Sequence, residues 1–145
     1  MSDEAAPQRF DLAAFFGYAR EVGHGRALGL EYRDSGDNWA ELCLPWKEQL
    51  VGMPESGFLA SGAIVSLIDT ASGASVWVTL GKFVPIVTLD LRLDYLRPAL
   101  KGETVFARCE CLKMTRQVAF VRGVAHAGDP ARPIAHSAAT FMLAP

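Results

Sequence analysis

The sequence of 145 residues has few cysteines and almost no net charge. Its three cysteines are an odd, sparse set, which excludes a disulfide framework. No histidine cluster accompanies Cys109 and Cys111, so no zinc or other metal site is indicated, and reduced thiols are expected. The formal net charge of −2, with both signs spread along the chain, excludes the basic stripe that nucleic-acid binding requires.

The sequence also lacks the apolar runs of targeting and membrane segments. Its first ten residues, MSDEAAPQRF, contain no apolar segment and do not resemble a signal peptide. The longest weakly charged stretch, 57–80, contains Asp69 and several hydroxyl side chains, which makes it too polar for a membrane span. The composition, 50% hydrophobic and 21% charged, is that of a folded globular protein. We therefore expect one domain over residues 1–145, located in the cytoplasm.

Helical spacing of apolar residues marks two segments. The first is expected to be an amphipathic helix over about 11–22, with Asp11 as its N-cap. The second is expected over about 61–80, since Gly81 stands where a left-handed C-terminal residue belongs. This second helix contains no Lys, Arg or Glu, and apolar or small residues surround it. We therefore expect it to be buried on every side.

Alternating apolar and polar residues mark the strands. A hairpin is predicted over 27–45, and four more strands follow the second helix, the first of them within 87–98. Strict alternation there places Leu91 on one face and Thr88 on the other. The short links between the last four strands predict an antiparallel meander. The order of elements indicates an α+β fold, with an antiparallel sheet wrapped around the long central helix.

Asp69 is the residue that fits this core least well. No basic residue lies one helical turn away from it, and an unpaired buried carboxylate is costly. It is therefore either a structural acid that its neighbours satisfy or a group retained for chemistry, and the residues alone leave both readings open. The same helix begins at Ser61 and Gly62, whose backbone N–H groups favour negative charge. One helix could thus supply both an oxyanion donor and a base or nucleophile.

Two motifs resemble those of the hotdog-fold thioesterases of the PaaI type, which are named for phenylacetic acid degradation. They are GFLASGAIVSLIDTASG, 57–73, and TLDLRLDYLRPAL, 88–100. The family pattern is His-Gly-Gly, six residues and Asp, followed later by Ser/Thr-x-Asp-Leu-x-x-x-Tyr-x-x-Pro. The family's Asp falls on Asp69, whereas its His-Gly-Gly falls on Ala60-Ser61-Gly62, so the histidine is missing. A family Asn in the preceding loop also has no counterpart.

The resemblance implies an acyl-CoA thioesterase that hydrolyses the thioester of a small acyl- or aryl-CoA. It gives Asp69 the role of general base or nucleophile, and it gives the N–H of Ser61 or Gly62 the role of oxyanion donor. It also implies that Thr88, offered by the partner subunit, orients the attacking water. Family positions near the CoA phosphates fall on three basic residues: Arg97, Lys113 and Arg116. The implied assembly is a homodimer or homotetramer with intersubunit sites, and no metal or cofactor is needed.

Two other functions are compatible with the same fold. Because the family histidine is missing, the chain could be a non-catalytic acyl-CoA-binding protein. A hotdog dehydratase is disfavoured. The resemblance to that class would imply a catalytic histidine near the central helix, and no histidine occurs between positions 25 and 125.

Overall fold

The computed structural model describes residues 10–145, so most of the segment compared with a signal peptide lies outside the described residues. The helices are α1 (Leu12–Ala19), α2 (Gly23–Leu28) and α3 (Ser61–Leu80), with a 3-10 turn at Glu48–Leu50. The strands are β1 (Glu31–Ser35), β2 (Trp39–Leu44), β3 (Val51–Met53), β4 (Phe58–Leu59), β5 (Ile86–Tyr95), β6 (Val105–Met114), β7 (Val118–His126) and β8 (Ala135–Leu143).

The N-terminal helical region is two short helices rather than one. Asp11 caps α1 as expected, because its side chain accepts a hydrogen bond from the N–H of Ala14 at 2.9 Å. The helix ends at Ala19, however, and α2 begins at Gly23, which has a φ of 62°. Glycine adopts this left-handed conformation without a steric penalty, so the chain can change direction there and start a second helix.

The long helix α3 forms the centre of the core. Leu67, Ile68 and Ala71 on its inner side are almost inaccessible to solvent and pack against the sheet. Gly81 ends the helix in the left-handed conformation, with a φ of 69°. The helix is long and apolar enough to cross a membrane, with a mean hydropathy of 1.4, but 56% of that stretch is buried inside the domain. It is therefore a core helix.

The main sheet has six antiparallel strands in the order β1-β2-β6-β7-β8-β5. The meander predicted for the last four strands is therefore wrong for β5, which pairs with β8 rather than with β6. The link 96–104 is long enough to cross the ends of two strands instead of turning back. As it leaves β5, the N–H of Leu96 donates to the carbonyl of Ile134 at 2.8 Å, next to the start of β8.

A β-bulge at Leu89 changes the face of the sheet to which the side chains at the start of β5 point. The pairing of β5 with β8 shifts between Thr88 and Asp90, so that Thr88 lies opposite Phe141, a core residue with 2% exposure. Strict alternation placed Thr88 on the face opposite to Leu91, and this prediction is wrong. An extra residue in one strand inverts the alternation beyond it, which turns Thr88 towards α3.

The sheet covers α3 from one side only, so the expected burial on every side is wrong for a single chain. Ser61 and Gly62 are exposed, and Asp69 is partly exposed. The strand nearest this open side is β5, which is an edge of the sheet within the described part of the chain. Val87 and Leu89 on this edge are 61% and 51% exposed. An unpaired apolar edge of this kind favours pairing with another strand.

Gly123 in β7 provides a test of the packing between the strands. A methyl group there would lie 2.5 Å from the hydroxyl of Ser137 and 2.7 Å from the sulfur of Cys109. We predict that Gly123→Ala lowers the free energy of unfolding by about 1–3 kcal/mol, measured by urea denaturation. In the control Gly17→Ala the added methyl meets nothing within 4 Å, and the helix gains about 0.5–1 kcal/mol. A Gly123→Ala protein as stable as the wild type would contradict this packing.

Candidate active site

Asp69 has a hydrogen-bond partner that the sequence did not reveal. The hydroxyl of Thr88 donates to Oδ1 of Asp69 at 2.8 Å, within the same chain. The expectation that Thr88 reaches the site from a partner subunit is therefore corrected, since the bulge at Leu89 turns it towards its own α3. The contact fixes one carboxylate oxygen on the open side of the helix and leaves the second oxygen available for proton transfer.

The start of α3 presents unpaired backbone donors. The first N–H groups of any helix lack intrahelical partners. Of these, the N–H of Ala63 donates to the carbonyl of Ala60 at 3.1 Å, while Ser61 and Gly62 are exposed. Ala60 provides no side-chain cap, so it does not block these two donors. The helix N-terminus can therefore bind a negatively charged or polarised oxygen at Ser61 and Gly62.

Tyr95 holds this helix start in place, a role that no pattern in the sequence indicated. Its hydroxyl donates to the carbonyl oxygen of Ser61 at 3.1 Å, from the far end of β5. Burial raises the pKa of Tyr95, which keeps the hydroxyl a neutral donor. Tyr95 belongs to the motif at 88–100, which could have marked it as functional. Nothing in the sequence, however, connected it with Ser61 in the motif at 57–73.

A cavity of about 570 Å³ opens at the same end of α3. It is bounded by the β3–β4 hairpin, by the helix start and by the link that follows β5. Its lining includes Gly52, Met53, Phe58, Ser61, Tyr95 and Arg97. Ser61 therefore borders a space large enough for a small-molecule group.

The donors and the carboxylate of one chain are too far apart to act on the same carbonyl group. Ser61 and Asp69 are eight residues apart in α3, which corresponds to about 12 Å along the helix axis. An oxyanion donor and a base must both lie within about 3 Å of the reacting group. The idea that one helix supplies both groups to the same carbonyl is therefore wrong.

The three basic residues expected near phosphates do not come together in one chain. Arg97 lies at the Ser61 end of the sheet, where its guanidinium forms an ion pair with Glu103 at 3.1 Å. Lys113 and Arg116 lie at or next to the β6–β7 turn and are exposed. The strand pairing places that turn at the opposite end of the sheet, level with Thr88.

A histidine lies against α3, although no histidine was expected near this helix because none occurs between positions 25 and 125. Nε2 of His24 is 3.0 Å from the hydroxyl of Ser66, three residues before Asp69. The contact joins residues 42 positions apart, which no local pattern predicts. His126 and His136 lie instead at a cavity of about 500 Å³ on the outer face of the sheet.

Neither metal binding nor thiol chemistry is supported by the described residues. Residues 10–145 contain no group of three or more His, Cys, Asp or Glu side chains that could hold a metal ion. Cys109 is fully buried, and burial raises its pKa to about 12, which keeps it a protonated thiol. The polar groups that the described residues place at the site are the carboxylate, hydroxyl groups and backbone donors.

The chain is similar in sequence to known proteins over most of its length. A family model described as the thioesterase superfamily matches residues 56–134. The protein of Escherichia coli K12 named medium/long-chain acyl-CoA thioesterase YigI is 32% identical over 131 residues. The match covers 81% of this chain and 83% of that protein.

Solved structures share the fold. A protein from Pseudomonas aeruginosa is 38% identical, with a TM-score of 0.78 and coverage of 88% of this chain and 94% of that chain. The Escherichia coli PaaI protein from the phenylacetic acid degradation operon is 18% identical, with a TM-score of 0.77 and coverage of 92% and 94%. The predicted α+β hotdog fold is confirmed.

The Arg97–Glu103 pair should make stability depend on pH. Burial alone would raise the pKa of Glu103, but the N–H of Leu100 and the Arg97 guanidinium outweigh it and lower the pKa. The stabilisation is therefore present above the unfolded-state pKa of about 4.3 and is lost as the pH falls through the folded-state value. We predict that Glu103→Gln is less stable than the wild type by about 1 kcal/mol at pH 7 and that the difference shrinks towards pH 3.

Urea unfolding at several pH values measures this difference. Glu48→Gln, at an exposed position, serves as the matched control and should track the wild type at every pH. A difference for Glu103→Gln that stays constant between pH 7 and pH 3 would show that the carboxylate charge is not its cause.

Proposed function

The chain belongs to the thioesterase superfamily, and we propose that it is an enzyme that hydrolyses the thioester bond of an acyl-CoA. The products are a carboxylic acid and coenzyme A. The observation that carries this proposal is the Asp69 carboxylate, bound by Thr88 at 2.8 Å on the open side of a helix. We also expect the protein to act in the cytoplasm, as its composition indicates.

Asp69 acts as the general base or as the nucleophile. As a base, it takes a proton from a water molecule whose oxygen attacks the carbonyl carbon, and the C–S bond breaks as the thiolate leaves. As a nucleophile, its oxygen attacks the carbonyl carbon, the C–S bond breaks as the CoA thiolate leaves, and water hydrolyses the resulting transient anhydride. Thr88 supports either route because its hydroxyl fixes one carboxylate oxygen and can orient the water.

The N–H groups of Ser61 and Gly62 bind the carbonyl oxygen as negative charge develops on it. Backbone donors do not depend on the side chain of the preceding residue, so the replacement of the family histidine by Ala60 leaves them in place. Tyr95 acts as a positioning residue, because its hydrogen bond to the Ser61 carbonyl orients the helix start.

The complete site forms between two copies of the chain. The 12 Å separation within α3 requires a second helix start, and the exposed apolar edge of β5 offers the surface for pairing. Antiparallel pairing of two β5 strands makes the α3 helices run in opposite directions, so the start of one helix can lie beside Asp69 of the other. The same symmetry brings Lys113 and Arg116 of one copy towards Arg97 of the other, where they can bind the CoA phosphates.

The first prediction from this function concerns Asp69→Asn, which keeps the side-chain volume but removes the negative charge. We expect kcat for acyl-CoA hydrolysis to fall by at least about a hundredfold, because a positioned base is lost. Binding of the ester should remain, since the backbone donors are unchanged. Release of coenzyme A, followed with a thiol reagent, measures the rate, and calorimetry measures binding.

Asp90→Asn is the matched control for Asp69→Asn. Asp90 follows the bulge on β5 and lies opposite Thr140, on the face away from α3, so the control should hydrolyse the ester at the wild-type rate. Equal rates for Asp69→Asn and the wild type would show that the mechanism is wrong. A wild type that binds acyl-CoA esters without hydrolysing them would favour the alternative of a non-catalytic binding protein. The absence of the family histidine at position 60 supports that alternative.

A second prediction tests whether the site is shared between copies. Ser61→Pro removes one backbone donor, and proline suits the first position of a helix, so the fold should persist. We expect this variant and Asp69→Asn to be inactive alone. Mixing them in equal amounts, with subunit exchange, should restore about one quarter of the wild-type activity, since half the dimers are hybrids with one intact site.

Sedimentation provides the control for the mixing experiment. The wild type and both variants should be dimers or tetramers at micromolar concentration. A monomeric wild type with full activity, or a mixture of assembled variants that stays inactive while Ser61→Pro alone is inactive, would contradict the shared site.

A further inference from the structure

A chain of two hydrogen bonds joins α2 to the start of α3 and has no part in the chemical step described so far. Nε2 of His24 lies 3.0 Å from the hydroxyl of Ser66, and that hydroxyl donates to the carbonyl of Gly62 at 3.1 Å. A carbonyl oxygen can only accept, and the hydroxyl has a single proton. Both contacts therefore form together only when the imidazole N–H donates to Ser66.

This chain of hydrogen bonds reaches the side of α3 that carries the proposed site. Gly62, Ser66 and Asp69 follow one another at intervals of four and three residues, so they lie on one side of the helix. All three are exposed or partly exposed, whereas Leu67 beside them is buried. His24 thus contacts the open side of α3, one helical turn before the carboxylate and one turn after the backbone donor of Gly62.

The start of α3 lacks a side-chain cap, because Ala60 has no polar side-chain atom to offer. Two successive carbonyls of its first turn are instead tied to other elements of the fold. Tyr95 of β5 donates to the carbonyl of Ser61, and the hydrogen bonds that begin in α2 end at the carbonyl of Gly62. The orientation of the first turn therefore depends on two residues that are distant in sequence.

Gly62 is the donor that most needs such a restraint. Glycine has the freest backbone of all residues, and no described atom outside its own chain neighbourhood lies within 4 Å of the place that a Cβ would take there. The bond from Tyr95 fixes the peptide plane that carries the Gly62 N–H, and the bond from Ser66 fixes the next plane. Together they hold the backbone on both sides of this residue.

We propose that His24 is a positioning residue, which acts through Ser66 to hold the N–H of Gly62 in the direction that the developing oxyanion requires. The inference rests on the proposed function, in which this N–H stabilises the carbonyl oxygen. A slightly misdirected donor still binds the ground-state ester but stabilises the transition state less. Loss of the contact should therefore lower kcat and leave KM unchanged.

His24→Phe keeps an aromatic ring and removes the donor. His24 is exposed and lines a cavity of about 270 Å³ between α1, α2 and Thr70 of α3, so a ring of similar size fits there. We expect kcat for acyl-CoA hydrolysis, followed by the release of coenzyme A, to fall about tenfold at unchanged KM. His24→Gln, whose amide N–H can replace the imidazole donor, should retain at least about half of the wild-type kcat.

Ser66→Ala removes the intermediate hydroxyl and tests whether His24 acts through it. This substitution should also lower kcat about tenfold, and His24→Phe added to it should cause no further loss, because both changes interrupt the same hydrogen-bond chain. His136→Phe, at an exposed histidine on the outer face of the sheet, is the matched control and should have the wild-type kcat. Thermal unfolding of each variant shows whether it is folded.

Mixed dimers show which group His24 positions. In the proposed dimer, the one intact site of a hybrid takes its donors from the Asp69→Asn chain and its carboxylate from the Ser61→Pro chain. His24→Phe added to the Asp69→Asn chain should lower the activity of the mixture about tenfold. The same change added to the Ser61→Pro chain should leave the mixture at about one quarter of the wild-type activity.

The outcomes separate this inference from the proposed activity. A folded His24→Phe protein with the wild-type kcat overturns the role of His24 and leaves the activity intact, as does a loss that appears in KM alone. Losses that multiply in the double variant, or that follow the Ser61→Pro chain, also overturn it, since His24 would then act without Ser66 or on Asp69. If His24→Phe does not fold, the wild-type kcat in Ser66→Ala overturns it. A wild type that hydrolyses no acyl-CoA ester overturns the proposed function, and this inference with it.

Discussion

The one-sided packing of α3 on the sheet is the constraint on which the rest of the structure depends. The inner residues of the helix, among them Leu67 and Ala71, are removed from water by the curved sheet. The opposite side stays partly open, and there the Asp69 side chain is only partly removed from water. A helix enclosed on all sides would leave this carboxylate without access from solvent.

The open side of α3 is also where local irregularities place the polar groups. The bulge at Leu89 turns Thr88 towards Asp69, and the end of the same strand brings Tyr95 to the carbonyl of Ser61. One edge strand thus contacts α3 at two points eight residues apart along the helix. The edge itself remains unpaired in the described chain, and the helix geometry separates donor from base. Both facts underlie the proposal that a second copy completes the site.

Much of this could be predicted from local patterns. The spacing of apolar residues gave α3 at 61–80, the range it occupies, and the two motifs gave the fold and the family. Asp69 could be singled out because a carboxylate in an apolar helix without a basic partner is costly to bury. The position of β5 beside β8 could not be predicted in this way, because link 96–104 is compatible with a turn back or with a crossing. The contact between His24 and Ser66 was equally inaccessible, since it spans 42 residues.

The sequence by itself determined the central helix, the six strands of the main sheet, the fold and the candidate carboxylate, because these depend on periodicity and residue type within short segments. Only the tertiary structure decided that Thr88 faces Asp69, that Arg97 is paired with Glu103, and that a cavity lies beside Thr70. Each of these depends on strand register or on contacts between distant segments. A single inserted residue reverses a strand's facing, and the folding of α2 onto α3 is set by packing that no local pattern encodes.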